Sequence, residues 1–278
     1  MKSTAVAREL KTVGVVGAGR MGTPIIGHLV RKGFAVRACD LNAARAGAVK
    51  KLGAQWVASP ESLAAESDAI LVCVGFDREV QELLAESGAL RKARPGAIVA
   101  ILSTIHPHTV QKLAKECGSA GLHVVDSTVC RGGEAADSGT LLSFVGGSAE
   151  VVARLTPVLR AYSSDVVHTG GVGTAQVAKA ANNLILWACL VADHEALALA
   201  QHYGADVEAL RRALLMSSCA NGPLEKWGSQ TMAWAEDDMA IVAEMAAGAG
   251  IALPQARVNR EICRELKPRR YKLEAYGR

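Results

Sequence analysis

The stretch Val13-Gly14-Val15-Val16-Gly17-Ala18-Gly19-Arg20-Met21-Gly22 restricts the fold of this chain more than any other. A β-branched run enters a G-x-G-x-x-G turn, and a segment with apolar Ile25, Ile26, Leu29 and Val30 at helical spacing leaves it. That is the strand, turn and helix order of a dinucleotide-binding βαβ unit. Gly17 permits the sharp turn, Gly19 lets backbone approach a pyrophosphate, and Gly22 lets the helix pack on the strand, with Arg20 and Met21 inside the same cofactor-binding turn. Unpaired N–H groups at the helix start face the phosphates, and Pro24 in the first turn removes no needed donor. Val36, Ala38 and Asp40 read as a second strand ending in an acid about twenty residues past the glycines, where a ribose-binding carboxylate belongs. The expected cofactor is NAD, because Asp40 repels a 2′-phosphate; NADP becomes acceptable if Arg45 turns toward the ribose and offsets the acid.

Strand and helix continue to alternate. Ala69 to Val74, Gly96 to Leu102, Leu122 to Val125 and Leu142 to Val145 read as strands, with helical spacing over Glu79 to Leu84 and Pro107 to Glu116 between them. Such alternation predicts a parallel, doubly wound sheet. The character changes at Gly170-Gly171-Val172-Gly173, which reads as a hinge. From Thr174, a plausible N-cap, about thirty residues rich in Ala and Leu run to Gly204 without Pro or Gly. Helices over Asp206 to Leu215, Asp237 to Ala247 and Gln255 to Leu266 follow, and no strand pattern does. The fold class is therefore α/β: an N-terminal doubly wound Rossmann sheet over residues 1–172, then an all-helical domain over 173–278 for substrate and dimerisation.

Composition narrows the partners. At 278 residues and 50% hydrophobic, the chain can bury a large core. Its net charge of +4 is spread out apart from Lys267 to Lys272, read as a solvated tail, so no nucleic-acid partner is expected. Seven cysteines without a C-x-x-C pair argue against a disulfide framework and a zinc cluster, so no metal is expected and a reducing cytoplasm is. Charge interrupts Met1 to Glu9 before a leader core forms. The longest apolar stretch, Leu184 to Ala192, is too short to span a bilayer, so no membrane is expected.

Strand ends carry the candidate chemistry. Val74, Ser103 and Thr104 lie where such sheets place ligands. Asp126-Ser127-Thr128-Val129-Cys130-Arg131-Gly132-Gly133 follows a strand, and its glycines expose N–H groups able to hold a carboxylate, although a plain loop fits as well. Lys179 and Asn183, four apart, share one helix face. Small and apolar neighbours, with Asn182 adjacent, set Lys179 apart from an ordinary surface lysine.

These segments together resemble the β-hydroxyacid dehydrogenase family, which includes 3-hydroxyisobutyrate dehydrogenase, tartronate semialdehyde reductase and relatives of 6-phosphogluconate dehydrogenase. Gly17 to Gly22 resembles its G-x-G-x-M-G signature, Ser103-Thr104 with Pro107 its S-T-x-x-P segment, and Asp126 to Leu141 its D-x-P-V-S-G-G and G-T-L segment. Gly173 to Lys179 with Asn182-Asn183 resembles its G-T-G-Q-x-x-K-x-x-N-N helix. The resemblance implies hydride transfer between NAD(P) and a 3-hydroxy acid or related hydroxy or semialdehyde compound. It makes Lys179 the catalytic acid/base, Asn183 a substrate-orienting amide and Cys130, Arg131 and Gly132 the substrate loop. It also implies a homodimer or homotetramer, in line with the apolar surface of the long helix. The chain departs from the pattern at Thr128 (Pro), Cys130 (Ser), Arg131 (Gly) and Asp237 (Lys). At Arg131 the guanidinium is expected to grip a substrate carboxylate. Two other readings are an imine reductase-like enzyme, which Lys179 argues against, and a non-catalytic NAD-binding sensor.

Overall fold

The computed structural model describes residues 9–85 and 88–276. Met1–Arg8, where the leader argument rests, lie outside the described residues. The chain alternates as its periodicity predicts. In order come β1 (Thr12–Val16), α1 (Gly22–Arg31), β2 (Ala35–Cys39), α2 (Ala46–Lys51), β3 (Gln55–Trp56), α3 (Pro60–Ala65) and β4 (Ala69–Val72), then α4 (Asp77–Leu84), β5 (Ile98–Ile101), α5 (Pro107–Gly118) and β6 (His123–Asp126). The strands pair in parallel in the order β3-β2-β1-β4-β5-β6. Val13, Val15, Ala69, Leu71, Ile98 and Ala100 enter one apolar cluster. Their sequence neighbours Val16, Ile70, Val72, Val99 and Ile101 enter another. Both faces of the sheet are thus buried, which is why these strands read as unbroken apolar runs.

Beyond β6 the sheet becomes mixed. β7 (Val129–Cys130), α6 (Gly132–Ser138), β8 (Leu141–Gly146), α7 (Ala149–Leu159) and β9 (Ser163–Gly170) follow. β8 runs antiparallel to β6 and β7, and β9 parallel to β8. The expected parallel arrangement holds for the six strands from β3 to β6 and is extended by this mixed edge. β9 escapes sequence reading because it is mostly exposed and carries Ser164, Asp165, His168 and Thr169 in place of an apolar run.

From Thr174 the described chain is helical: α8 (Thr174–His202), α9 (Val207–Leu214), α10 (Gly222–Glu225), α11 (Ala235–Ala249) and α12 (Pro254–Leu266). By its internal contacts the chain divides into Met1–Lys179 and Ala180–Arg278. The second unit has its own core around Trp187, Leu190, Val191, Met239, Val242 and Cys263. The basic segment read as a solvated tail is docked onto this unit. Lys267 Nζ donates to the Ala233 carbonyl at 3.0 Å, and the Tyr271 N–H donates to His194 Nε2 at 3.0 Å. Tyr271 supplies the anchor that the surrounding charges mask.

α8 is long and apolar enough, by length and composition, to cross a membrane. The expectation drawn from Leu184 to Ala192 undercounted it, because alanines extend the apolar composition at both ends. Asn183, Asp193 and His194 are nevertheless buried along it. Buried polar groups of this kind fit a packed core helix, since hydrocarbon offers them no partners.

Candidate active site

The glycine turn is fixed by sterics. Gly17 has φ 97°, and a Cβ there would lie 2.2 Å from the Cys73 carbonyl oxygen. A Cβ on Gly22 would lie 1.9 Å from the Gly17 carbonyl oxygen, so α1 can approach β1 this closely only with glycine. At Gly19 a Cβ would meet only the far end of Arg45, leaving the outer surface of the turn open backbone. Met21 occupies the N-cap of α1 without a capping side chain, and the Thr23 hydroxyl donates to the Ala18 carbonyl at 2.7 Å. Helix N-terminal amides without intrahelical partners suit phosphate oxygens. A groove of about 540 Å³ opens beside this turn, lined by Ala18, Gly19, Arg20, Thr23, Arg31, Arg45 and Asp137 among others. Open backbone flanked by three guanidinium groups fits the phosphates of a dinucleotide.

Asp40 directly follows β2, but its carboxylate is already engaged. Oδ2 accepts from Ala18 N–H at 2.7 Å and from Arg45 Nη1 at 3.0 Å, while Oδ1 accepts from Asn42 N–H at 2.8 Å. The Arg20 guanidinium makes a bidentate pair with Asp137 at 2.7 and 2.6 Å. At the ends of β4 and β5, Ser103 Oγ accepts from Val74 N–H at 3.0 Å and donates to Val74 O at 2.8 Å, joining the two strands. Thr104 beside it is half-buried.

The ends of β5 and β6 also hold the start of α8. Asp126, fully buried, accepts from Gly173 N–H at 2.8 Å and Gln176 N–H at 2.9 Å. Burial pushes its carboxyl above the ordinary carboxylate range, and these backbone donors hold it part of the way back. Gln176 accepts from Ile105 N–H at 3.0 Å and donates to Ser103 O at 2.8 Å. Thr128 Oγ1 donates to Ala175 O at 3.0 Å. Sequence reading proposed Thr174 as the cap, but its hydroxyl donates to Gly171 O at 2.7 Å. The acceptor comes instead from Asp126, far away in sequence. Asp126 and Gln176 fall inside the family-like segments of the sequence, but no local signal there joins the two.

One turn past Gln176, Lys179 Nζ donates to Val129 O at 2.8 Å and lies 4.0 Å from Cys130 Sγ. The structure thus brings the lysine to the Asp126 to Gly133 segment. Cys130 is buried in β7, and Gly132 opens α6 with φ 77°. Arg131 is left-handed at φ 84°, and its Nη1 donates to Thr140 O at 3.1 Å, Ser164 Oγ at 2.8 Å and Asp165 Oδ2 at 2.7 Å. The guanidinium expected to grip a substrate carboxylate is therefore held by β9 and the turn before β8. Asn183 is buried on α8, accepts from Asn182 Nδ2 at 3.1 Å, and leaves its own Nδ2 without a partner among the described residues. Among the described residues no group of three or more His, Cys, Asp or Glu gathers as a metal site.

Comparison with known proteins places this geometry in a family. The model of the NAD binding domain of 6-phosphogluconate dehydrogenase matches residues 12–171. That of the NAD-binding domain of NADP-dependent 3-hydroxyisobutyrate dehydrogenase matches residues 173–274. A 2-(hydroxymethyl)glutarate dehydrogenase of Eubacterium barkeri is 31% identical over 207 residues, covering 74% of this chain and 69% of that enzyme. The mitochondrial 3-hydroxyisobutyrate dehydrogenase of Mus musculus is 33% identical over 207 residues, covering 74% of this chain and 62% of that one. In structure, a 3-hydroxyisobutyrate dehydrogenase of Mycobacterium tuberculosis with L-serine is similar at a TM-score of 0.85 and 23% identity, over 92% of this chain and 94% of the other. The chain belongs to the β-hydroxyacid dehydrogenase family, NAD(P)-dependent oxidoreductases that act on hydroxy acids.

Proposed function

We propose that this chain oxidises the primary alcohol of a small 3-hydroxy acid to the semialdehyde, and reduces it in reverse, with Lys179 as the acid/base. The observation that carries the reading is Lys179 Nζ, oriented by the Val129 carbonyl at 2.8 Å beside the Cys130 segment. 2-(Hydroxymethyl)glutarate, 3-hydroxyisobutyrate and L-serine, named with the related proteins, share a CH₂OH group next to a carbon that bears a carboxylate. When bound at the glycine turn, the nicotinamide cofactor supplies the hydride-accepting carbon. Lys179 Nζ accepts the hydroxyl proton as the carbinol carbon loses hydride, and returns it to the carbonyl oxygen in reduction. Asn183, one turn along the same helix face, offers its unpartnered Nδ2 to the substrate. Cys130 and Gly132 line the substrate segment, and Ser103, Thr104 and Val74 lie on the cofactor edge of the sheet.

The same reading includes a homodimer and a cytoplasmic location. Val177, Ala181, Ile185, Ala192, Ala196 and Leu199 are exposed at helical spacing along α8, and α9 buries none of its residues. An apolar stripe of small residues suits packing against a second copy. Seven cysteines, none of them in a disulfide among the described residues, accord with a reducing compartment.

The test is a screen of hydroxy acids that follows reduced nicotinamide, then variants on the best substrate. Lys179→Ala should lower kcat by about 10² or more, because general acid/base transfer contributes about 10²–10⁴-fold. Lys179→Arg should not restore it, since arginine keeps its proton at neutral pH. NADH affinity measured by fluorescence should stay unchanged. Near-normal turnover by Lys179→Ala would remove the mechanism.

A further inference from the structure

The contacts around Asp126 make up more than a helix cap. Three strand ends converge on the first turns of α8, and each is tied by a buried side chain. Asp126 at the end of β6 holds the N–H groups of Gly173 and Gln176. Gln176 reaches back to Ile105 N–H and Ser103 O just past β5. Thr128, between β6 and β7, holds Ala175 O. Asp126, Thr128 and Gln176 are each at most 1% exposed, so these bonds form without competition from water. The surroundings also fit the carboxylate closely. A Cβ on Gly146 would lie 2.5 Å from Asp126 Oδ1, and Gly173, at φ 95°, presents its N–H to that same oxygen.

A neutral core could be built at lower cost. A buried carboxylate is expensive to desolvate, and a side-chain amide buried beside it needs both its donor and its acceptor satisfied. What this arrangement secures is direction: the helix axis and rotation are set by bonds on several sides at residues 173, 175 and 176. Lys179 follows Gln176 by one turn, and its Nζ meets Val129 O in the strand directly after Thr128. A proton-transfer group gains its effect from placement within a fraction of an ångström, so the rigidity of its helix carries into rate.

We propose that Asp126 and Gln176 are positioning residues for Lys179: a buried carboxylate and amide clamp that fixes the first two turns of α8 to the ends of β5 and β6. This rests on the assignment of Lys179 as the acid/base, and the experiment separates the two. Asp126→Asn keeps the volume but turns one acceptor oxygen into a donor that faces a backbone N–H. Gln176→Met keeps the length and deletes both bonds.

Each full-length variant is assayed for kcat and KM on the best hydroxy acid, for NADH affinity by fluorescence, and for amide hydrogen exchange resolved by peptide. Both variants should lower kcat about tenfold or more, leave KM and NADH affinity within about threefold, and speed exchange at residues 174–179 by at least about tenfold with α1 and α5 unchanged. The exchange readout does not depend on turnover, so it tests the clamp even if no hydroxy acid proves to be a substrate. Should Lys179→Ala abolish turnover while both clamp variants keep wild-type kcat, the positioning role is wrong and the acid/base role stands. Loss of NADH affinity together with faster exchange throughout the sheet would reduce Asp126 and Gln176 to ordinary core residues. If Asp126→Asn fails to fold, Gln176→Met alone decides by the same readouts.

Discussion

Arg45 should set how strongly this protein distinguishes NAD from NADP. Asp40 alone would repel a 2′-phosphate. Two unit charges about 4 Å apart interact by about 1 kcal/mol in bulk water and by about 4 kcal/mol at the effective dielectric of a protein surface. The Asp40 side chain is 12% exposed and that of Arg45 40%, so the pair lies between those limits. About 2 kcal/mol of repulsion corresponds to roughly 30-fold discrimination, at 1.4 kcal/mol per tenfold. With Arg45 Nη1 3.0 Å from Asp40 Oδ2, most of that repulsion is cancelled, and the intact protein should prefer NAD by less than about threefold. In Arg45→Ala, Ala18 N–H and Asn42 N–H still hold the carboxylate in place while its counter-charge is gone. The ratio of kcat/KM for NAD over NADP should then rise about 10- to 30-fold, mainly through a higher KM for NADP. The rise should shrink as salt is added, because an exposed guanidinium is screened over a Debye length of about 8 Å at physiological ionic strength. A ratio that stays within threefold of the intact protein's would refute the electrostatic argument.

Two further outcomes follow from groups already placed. His194 donates through Nδ1 to Leu190 O and accepts through Nε2 from Tyr271 N–H, and burial lowers its pKa below the ordinary histidine value. The stability it contributes is therefore complete above about pH 6.5 and is lost as pH falls from there through the lowered folded value; thermal melts between about pH 7.5 and 5 should show it, with faster exchange at the Tyr271 amide. Arg131→Gly should leave KM for the hydroxy acid within about twofold and shift the melting temperature little. The mutation breaks a surface ion pair that water and salt already screen, and relieves a left-handed backbone conformation. A severalfold rise in KM would return Arg131 to the substrate loop.

The parts of this molecule that the sequence shows are those governed by local rules. The glycine turn is legible because a backbone contact near 2 Å leaves room for no side chain, as at Gly17 and Gly22. β4 and β5 are legible because burial on both faces leaves no polar positions, whereas β3, two residues long and partly exposed, gives no such signal. β9, the docked C-terminal segment and the cap of α8 are not, since each depends on a partner distant in sequence: β8 for β9, His194 for Tyr271, Asp126 for Gly173 and Gln176. Arg131 shows the same limit at one side chain. The residue type announced a carboxylate partner, and Asp165 on β9 turns out to be that partner.

Lys179 and Asn183 share a face of α8 only through the count of residues between them. Each residue advances an α-helix by about 100°, so four bring the chain round to nearly the same direction. One residue inserted between them would swing Asn183 about 100° away from the side that Lys179 occupies, and no later substitution could turn it back. From Gly173, which Asp126 pins, to Asn183, the helix is intolerant of length change in a way that Ser217 to Ala220, between helices, is not. Descendants of this sequence are free to vary many side chains on α8, while gains and losses of single residues are confined to the connections around it.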